Sequence, residues 1–282
     1  MKQLQLRSCA KINLGLEIVR KRPDGYHDLN SIFIAIDLHD ELTMERSEAL
    51  SVECNPPVTD ILEDNLVFRA AHMVLSNSMQ AAKIRVTKHI PSGGGLGGGS
   101  SNAATTLLGL SILYPELGPL LAPYSKLLGS DVTFFLNPGV ALVQGRGEII
   151  TSLEIELPWI VLLVFPGLHL STQEMYSTLG ITCEQPIANL ISSLMQAVEN
   201  PRAMPNDFTN DFEPIVFKRY PQLASIKSEL YAQGAVYASM SGSGSTMYGL
   251  YTSVENAEAA QTYFASLPTY ICRPVDASFL IP

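Results

Sequence analysis

The chain has 282 residues, of which 46% are hydrophobic and 16% are charged, a composition that excludes a disordered chain and a coiled coil. Lys and Arg number 18 against 27 Asp and Glu, so the formal net charge is −9. This charge disfavours a general nucleic-acid binder, because such proteins hold phosphates with cations. An anionic ligand must therefore be held by local donors.

No apolar run reaches the ~18 residues that a membrane-spanning helix needs. The first residues carry no signal-peptide hydrophobic stretch, so we expect a cytoplasmic protein without a membrane partner.

The N-terminal half is predicted to alternate between strands and helices. Apolar alternation and continuous apolar runs define the strands, and apolar residues at 3.6-residue spacing define the helices. Asp64 precedes the first helix and can cap it. The predicted strands are 4–20, 29–37 and 83–90, and the predicted helices are 65–75 and 100–113.

The C-terminal half continues the mixture, so the predicted fold class is α+β, with elements too interleaved for a simple doubly wound sheet. A boundary near 156–158 divides the chain into two lobes, 1–157 and 158–282. The predicted strands beyond it are 160–165 and 235–240, and the helices are 189–198, 221–232 and 254–266.

A glycine-rich loop stands out between the strand at 83–90 and the helix at 100–113. Six of the seven residues from 93 to 99 are glycine, which lets the backbone approach a ligand with its amides exposed. A helix that starts directly afterwards adds the positive end of its dipole, an arrangement that binds phosphate. A flexible linker is the alternative, but a linker has no reason to join a strand to an apolar helix.

The loop fits neither common phosphate motif. It matches the dinucleotide pattern G-x-G-x-x-G, but nearly every residue is glycine, so the match is weak evidence. A dinucleotide site also has an acidic residue after a second strand about 20 residues later, and the sequence does not show this arrangement. Gly94 and Gly99 have Walker A spacing, but Ser100 stands where the lysine belongs. Positive charge must therefore come from Mg²⁺ or a distant Lys. A second Gly/Ser cluster at 241–245 is expected to close the far side of the site.

Residues 91–104 resemble the phosphate loop of the GHMP small-molecule kinases. Four further segments resemble one branch of that family: 10–16, 22–27, 128–132 and 240–245. The resemblance extends from residue 8 to about 250. It implies an N-terminal ribosomal-protein-like lobe and a C-terminal ferredoxin-like lobe, with the active site between them.

The resemblance implies ATP-dependent phosphorylation of a hydroxyl, the 2-hydroxyl, on the erythritol part of a cytidine-diphosphate sugar alcohol in the non-mevalonate isoprenoid pathway. Its partners are then small molecules, and the chain is a monomer or a homodimer. Another GHMP kinase acting on mevalonate, homoserine or a sugar is the first alternative. A non-catalytic nucleotide-binding module is the second, and a nicotinamide-dependent oxidoreductase is the third.

The same resemblance implies a catalytic pair, in which Asp131 accepts the proton of the hydroxyl and Lys11 keeps Asp131 ionised. From the residues alone, Asp131 is equally a helix cap or part of a structural salt bridge, and Lys11 could extend outward from its strand. Thr133 departs from the proline that is usual in the family.

The remaining site residues are carried over from the family motifs. Tyr26 and His27 are expected to bind the cytosine by stacking and by hydrogen bonds to the base edge. The alternative is that they only form the turn that leads into the next strand. Asn13, Thr172 and Tyr176 complete the expected substrate site. The expected ATP-binding residues are Asn65, otherwise a helix cap, and the loop residues Pro91, Ser92, Gly93, Gly94, Gly95, Leu96, Gly97, Gly98, Gly99, Ser100 and Ser101.

Metal ligation is weakly indicated. The five histidines lack ligand spacing, so we expect no protein-held metal. Mg²⁺ is expected to arrive with ATP, with Ser100 or Ser101 as candidate ligands. The acidic residues Asp37, Asp40, Glu41, Asp211 and Glu213 are interpreted as solvated loop or cap residues. Free thiols are predicted for the four scattered cysteines Cys9, Cys54, Cys183 and Cys272, with two disulfides disfavoured.

Overall fold

The computed structural model describes residues 3–76, 78–180 and 184–282. Its first sheet has the strand order β3-β4-β2-β5-β6, with β1 paired to β2. Only β3 and β4 run parallel; the other neighbours are antiparallel. The strands are β1 (Leu4–Lys21), β2 (His27–Arg46), β3 (Ser51–Asn55), β4 (Ala82–Thr87), β5 (Val140–Gly145) and β6 (Ile149–Leu153).

The second sheet is antiparallel, with the order β10-β7-β9-β8. Helices follow its first and third strands in sequence, which is the ferredoxin-like arrangement that the resemblance implies. The strands are β7 (Ile160–Val164), β8 (Tyr237–Met240), β9 (Met247–Tyr251) and β10 (Thr269–Cys272).

Nine α-helices lie in the part of the chain that the structure describes. Those before β5 are α1 (Leu66–Leu75), α2 (Gly98–Leu113), α3 (Leu121–Leu128) and α4 (Val132–Phe135). Those after β7 are α5 (Thr172–Thr178), α6 (Leu190–Glu199), α7 (Glu213–Arg219), α8 (Pro221–Ala232) and α9 (Val254–Tyr263).

Helix α2 is the centre of the first lobe and carries the glycine-rich loop at its N-terminus. Most of its small residues are buried, because it packs against β1, β2 and α1. A Cβ atom on Gly109 would lie 2.3 Å from the Met44 sulfur, so glycine there allows α2 to approach β2. Apolar packing therefore fixes the helix whose N-terminus faces the candidate site.

Several predicted elements are confirmed and others need correction. The cap of α1 is Asn65, whose Oδ1 accepts the Val67 N–H at 2.9 Å, and not Asp64. Strand β2 extends to Arg46, far beyond the predicted end at residue 37. The solvated interpretation is wrong for Asp40, which is fully buried inside β2, and for Glu213, which is buried in α7. Both acids are satisfied by donors from distant segments.

The thiols of Cys9, Cys54 and Cys272 are free, as predicted, whereas Cys183 lies outside the described residues. Within the described ranges, no helix is both long and apolar enough to cross a membrane. The division at residues 157 and 158 stays a prediction.

Candidate active site

A cavity of about 310 Å³ is lined by residues from both lobes and by the glycine-rich loop. Its wall contains most of the residues that the sequence predicts for the site. These are Lys11, Asn13, Pro91, Gly93, Gly94, Gly95, Leu96, Gly97, Gly99, Ser100, Asp131, Thr172 and Tyr176. The wall does not include Tyr26, His27, Asn65, Ser92, Gly98 or Ser101.

The loop runs from the end of β4 to the first residue of α2, so its amides lie at the positive end of the helix dipole. Gly95 has φ +77°, and a Cβ atom there would lie 2.0 Å from the Ser241 carbonyl oxygen. Only glycine fits this crossing of the two loops.

The predicted closure of the site by residues 241–245 is confirmed. The Ser241 hydroxyl donates to the Gly95 carbonyl at 2.9 Å, and the Thr246 N–H donates to the Gly94 carbonyl at 3.2 Å. Gly242 and Ser243 join the cavity wall. The second lobe thus contacts the glycine-rich loop directly and contributes to the same cavity wall.

Lys11 and Asp131 meet in this cavity. The Lys11 side chain is 4% exposed, and its Nζ lies 4.0 Å from Asp131 Oδ2, whose side chain is 30% exposed. The same ammonium donates to Asn13 Oδ1 at 2.5 Å. Burial lowers the pKa of Lys11, and the negative charge of Asp131 opposes that shift. The Lys11 backbone N–H donates to the Leu96 carbonyl at 3.0 Å, which ties the strand that carries the cation to the loop.

Asp131 immediately precedes α4, so this short helix fixes its position. Thr133, the departure from the family's proline, forms a 3.1 Å hydrogen bond through Oγ1 with the Ser125 hydroxyl and thereby joins α4 to α3. Burial and, second, the charge of Asp131 raise the pKa of Tyr176. Tyr176 and Asp131 both line the cavity.

Tyr26 and His27 occupy different environments. His27 is buried and its ring stacks on Tyr176, with centroids 5.1 Å apart. Burial, followed by the charge of Lys21, lowers the pKa of His27, and its Nε2 has no hydrogen-bond partner within the described part of the chain. Tyr26 is 55% exposed and borders a separate cavity of about 360 Å³, with the Arg146 guanidinium 4.8 Å from its ring centroid.

Other predicted residues have structural roles. Asn65 caps α1 and donates through Nδ2 to the Cys54 sulfur at 3.2 Å, which agrees with its interpretation as a cap. Ser101 is fully buried, and its hydroxyl accepts from Ser8 at 2.8 Å. Ser100 is therefore the better placed of the two serines for a ligand. No group of three or more His, Cys, Asp or Glu able to hold a metal occurs among the residues placed by the structure.

Sequence reasoning missed the apolar wall of the cavity, formed by Leu16, Leu29, Phe33, Leu66 and Phe212. Their sequence signal is that of ordinary core residues, so only the fold reveals their position. A larger groove of about 900 Å³ lies elsewhere, between residues 152–160 and 273–278. It contains neither the glycine-rich loop nor the Lys11–Asp131 pair. Because both line the smaller cavity, that cavity is the candidate active site.

The fold and the site agree with known protein families. Residues 65–138 match the family described as GHMP kinases N terminal domain, and residues 188–267 match GHMP kinases C terminal. These matches define the class as GHMP kinases. A crystal structure of homoserine kinase from Cytophaga hutchinsonii, 17% identical, covers 98% of this chain and 96% of its own with a TM-score of 0.70, which supports the fold.

Two comparisons are more specific. The 4-diphosphocytidyl-2-C-methyl-D-erythritol kinase of Prosthecochloris aestuarii is 38% identical over 288 residues, 99% of each chain. A crystal structure of 4-(cytidine 5′-diphospho)-2C-methyl-D-erythritol kinase, 30% identical, covers 95% of this chain and 98% of its own with a TM-score of 0.82. The chain belongs to the family of these erythritol-derivative kinases.

Proposed function

We propose that the chain transfers the γ-phosphoryl group of ATP to a hydroxyl of 4-diphosphocytidyl-2-C-methyl-D-erythritol, the compound that its relatives' names carry. The 2-hydroxyl is the acceptor that the sequence resemblance implies. The observation that carries the proposal is the Lys11–Asp131 pair, which lies in one cavity with the glycine-rich loop. Phosphoryl transfer needs this combination of phosphate donors, a cation and a proton acceptor.

The loop amides and the N-terminus of α2 would hold the triphosphate. Mg²⁺, once bound with ATP, would neutralise charge that develops on the phosphates. Ser100 lies in the cavity wall and is the candidate contact for that ion, whereas the Ser101 hydroxyl accepts a hydrogen bond from Ser8. Lys11 supplies the cation that the loop lacks compared with a Walker A motif.

The reaction follows from these positions. Asp131 accepts the proton of the acceptor hydroxyl while its oxygen bonds to the γ-phosphorus. The bond from that phosphorus to the oxygen bridging to the β-phosphorus breaks, and ADP leaves with the electron pair. Lys11 places its positive charge 4.0 Å from Asp131 Oδ2, and Asn13 fixes the Lys11 ammonium through its Oδ1.

The cytidine would lie near His27 and Tyr176. His27 Nε2 is buried without a hydrogen-bond partner among the described residues, and in this proposal it bonds the edge of the base. Tyr26 offers an exposed ring at the separate cavity, and Thr172 lies in the main cavity wall. Lobes 1–157 and 158–282, a cytoplasmic location and a monomeric or homodimeric state remain predictions.

Steady-state ADP release with each alcohol tests the proposal. We expect turnover with the cytidylylated erythritol and at least about 100-fold lower kcat/KM with mevalonate, homoserine or a sugar, because binding energy from the cytidine contributes to the transition state. Equal or better activity with one of those alcohols would assign the chain to another GHMP activity. ATP binding without alcohol-dependent ADP release would indicate a non-catalytic module.

A further inference from the structure

We propose that Asp40 is the residue that positions the phosphate loop, because its buried carboxylate anchors both the start and the end of that loop. The inference rests on the proposed function, in that ATP phosphates bind the loop. Asp40 lies in β2, is fully buried and is absent from the cavity wall. It therefore acts through the backbone and not by touching substrate.

The first set of contacts fixes the chain as it enters the loop. Asp40 Oδ1 accepts the backbone N–H groups of His89 at 2.7 Å and Ile90 at 2.8 Å. These residues directly precede Pro91, where the loop begins. The Lys88 ammonium also donates to Asp40 Oδ2, so three consecutive residues are held by one side chain.

The second set fixes the chain as it leaves the loop. Asn102, in the second turn of α2, donates through Nδ2 to Asp40 Oδ2 at 2.8 Å and to the Ser8 hydroxyl at 2.8 Å. Its Oδ1 accepts from Lys88 at 2.9 Å. Ser8 in turn donates to the Ser101 hydroxyl at 2.8 Å. The carboxylate thereby joins the loop's entry to the first residues of α2.

A carboxylate is required at this position because every neighbour is a donor. Two backbone N–H groups, an ammonium and an amide N–H converge on its two oxygens. An amide in its place would direct an NH₂ group at a donor and leave it without a partner. The Lys88 side chain is 7% exposed, so the pair is shielded from water. Because hydrogen bonds to charged groups are the stronger ones, the arrangement sets the loop's shape before ATP binds.

The test is the ATP affinity of Asp40→Asn, measured by calorimetry without alcohol and by steady-state kinetics. We expect the ATP Kd and KM to rise about 10- to 100-fold, since a small displacement of a positioning group has effects of this size. The KM for the alcohol should stay within about twofold, because Asp40 touches none of its proposed contacts. A loss of fold alone would not separate these two constants.

Asp37→Asn is the matched control. Asp37 lies on the same strand and its carboxylate also accepts a backbone N–H, that of Arg273 at 2.9 Å, and neither residue lines the cavity at the loop. Its ATP KM should equal that of the wild-type chain. If Asp40→Asn does not fold, Asn102→Ala removes the Asn102 bonds to Asp40, Ser8 and Lys88 but leaves the His89 and Ile90 N–H groups bonded to Asp40, and should still raise the ATP KM severalfold.

The result that overturns the proposal is an unchanged ATP Kd in folded Asp40→Asn, or in Asn102→Ala when the first variant does not fold. Equal increases in the KM values of ATP and alcohol would overturn it as well. If the wild-type chain binds ATP but does not phosphorylate the cytidylylated alcohol, the proposed substrate is wrong. The ATP Kd of Asp40→Asn then still tests the role of Asp40. A wild-type chain that binds no ATP contradicts both.

Discussion

The Lys11 ammonium is the residue-level feature that distinguishes this site from an ordinary glycine loop. It is buried, held by Asn13 and separated by 4.0 Å from a partly exposed carboxylate. Removing a cation from water costs free energy. The position of the Lys11 ammonium beside an acid and the glycine-rich loop is therefore best explained by function. In the proposed mechanism the Lys11 ammonium lies beside the proton acceptor Asp131 and also attracts the phosphates of ATP.

Asp131→Asn should lower kcat by about 10²–10⁴-fold, because the amide cannot accept the proton of the hydroxyl. The ATP KM should change little, since the loop remains. A coupled ADP assay measures both values, and Asp276→Asn, at an exposed cap of the C-terminal segment, should leave both unchanged. Near-wild-type kcat in Asp131→Asn would remove the carboxylate from the mechanism.

Lys11→Met should abolish turnover and yet stabilise the fold by about 0.5–2 kcal/mol. Burial lowers the pKa of Lys11, so folding disfavours its protonated form, and this penalty disappears as the pH rises through the lowered pKa. Asp131 keeps its contact with water when the cation is removed.

Thermal unfolding between pH 7 and about pH 10 measures the difference between wild type and Lys11→Met. The variant's advantage should be largest near neutral pH and shrink in alkaline solution. A variant that is less stable at pH 7, or whose advantage is independent of pH, would contradict the stated cost of the buried ammonium.

Tyr26→Ala should raise the KM of the cytidylylated alcohol about 5- to 150-fold, the effect of losing a stacked base worth about 1–3 kcal/mol. The ATP KM should not change. Tyr263→Ala removes a similarly exposed ring from α9 and serves as the control. An unchanged KM for the alcohol in Tyr26→Ala would show that the ring does not contact the base.

At the scale of elements, the site depends on two loops that cross in the space between the lobes. Gly95 lies at the crossing, where the Ser241 carbonyl leaves no room for a side chain. Asp40 anchors the first loop, and Glu213 serves the second in a similar way, accepting the Met240 N–H at 2.9 Å and the Ser239 hydroxyl at 2.9 Å. Both loops are therefore held by buried acids on neighbouring elements.

Gly95→Ala should raise the ATP KM and lower the melting temperature, because alanine at this positive φ costs about 1–2 kcal/mol and its methyl group meets a carbonyl. Gly118→Ala is the matched control, since it has nothing within 4 Å and no positive φ. Calorimetry and kinetics on both variants check the difference. Equal behaviour of the two variants would contradict the tight crossing of the loops.

Local sequence patterns predict the helix and strands that surround the loop, but not the distant residues that contact them. Helix α2 was expected from its apolar run, and β1 from its alternation, because both signals are local. Strands β3, β6 and β10 are short and partly exposed, so they carry a weak pattern. The burial of Asp40 depends on residues 49 to 62 positions away, which no local pattern encodes. Sequence resemblance supplied the proposed catalytic pair, whereas the structure supplied the apolar wall and the buried acids.

At the scale of the whole molecule, an acidic chain is expected to bind two polyanions. The net charge of −9 opposes their approach, so the loop amides, Lys11 and the second lobe's loop must provide a local attraction. Arg69, Lys126 and Arg146 border the cavity beside Tyr26 and add positive charge there. Both lobes are required to form the candidate site, since each supplies part of the same cavity wall.

ATP should stabilise the folded chain, by about 2.7 kcal/mol at a concentration 100-fold above its Kd. At about 2.1 cal/mol/K of unfolding entropy per residue, this corresponds for 282 residues to a rise in melting temperature of about 4–5 °C. NAD should produce no comparable rise, because the loop lacks the features of a dinucleotide site. Stabilisation by NAD but not by ATP would favour the oxidoreductase alternative.

The most direct measurement is a crystal structure with a non-hydrolysable ATP analogue and the cytidylylated erythritol bound together. The account predicts the terminal phosphate against the amides of residues 93–101 and the N-terminus of α2. It also predicts the acceptor hydroxyl at about 3 Å from Asp131, with Lys11 beside both. A triphosphate bound away from the glycine-rich loop, or a hydroxyl out of reach of Asp131, would contradict it.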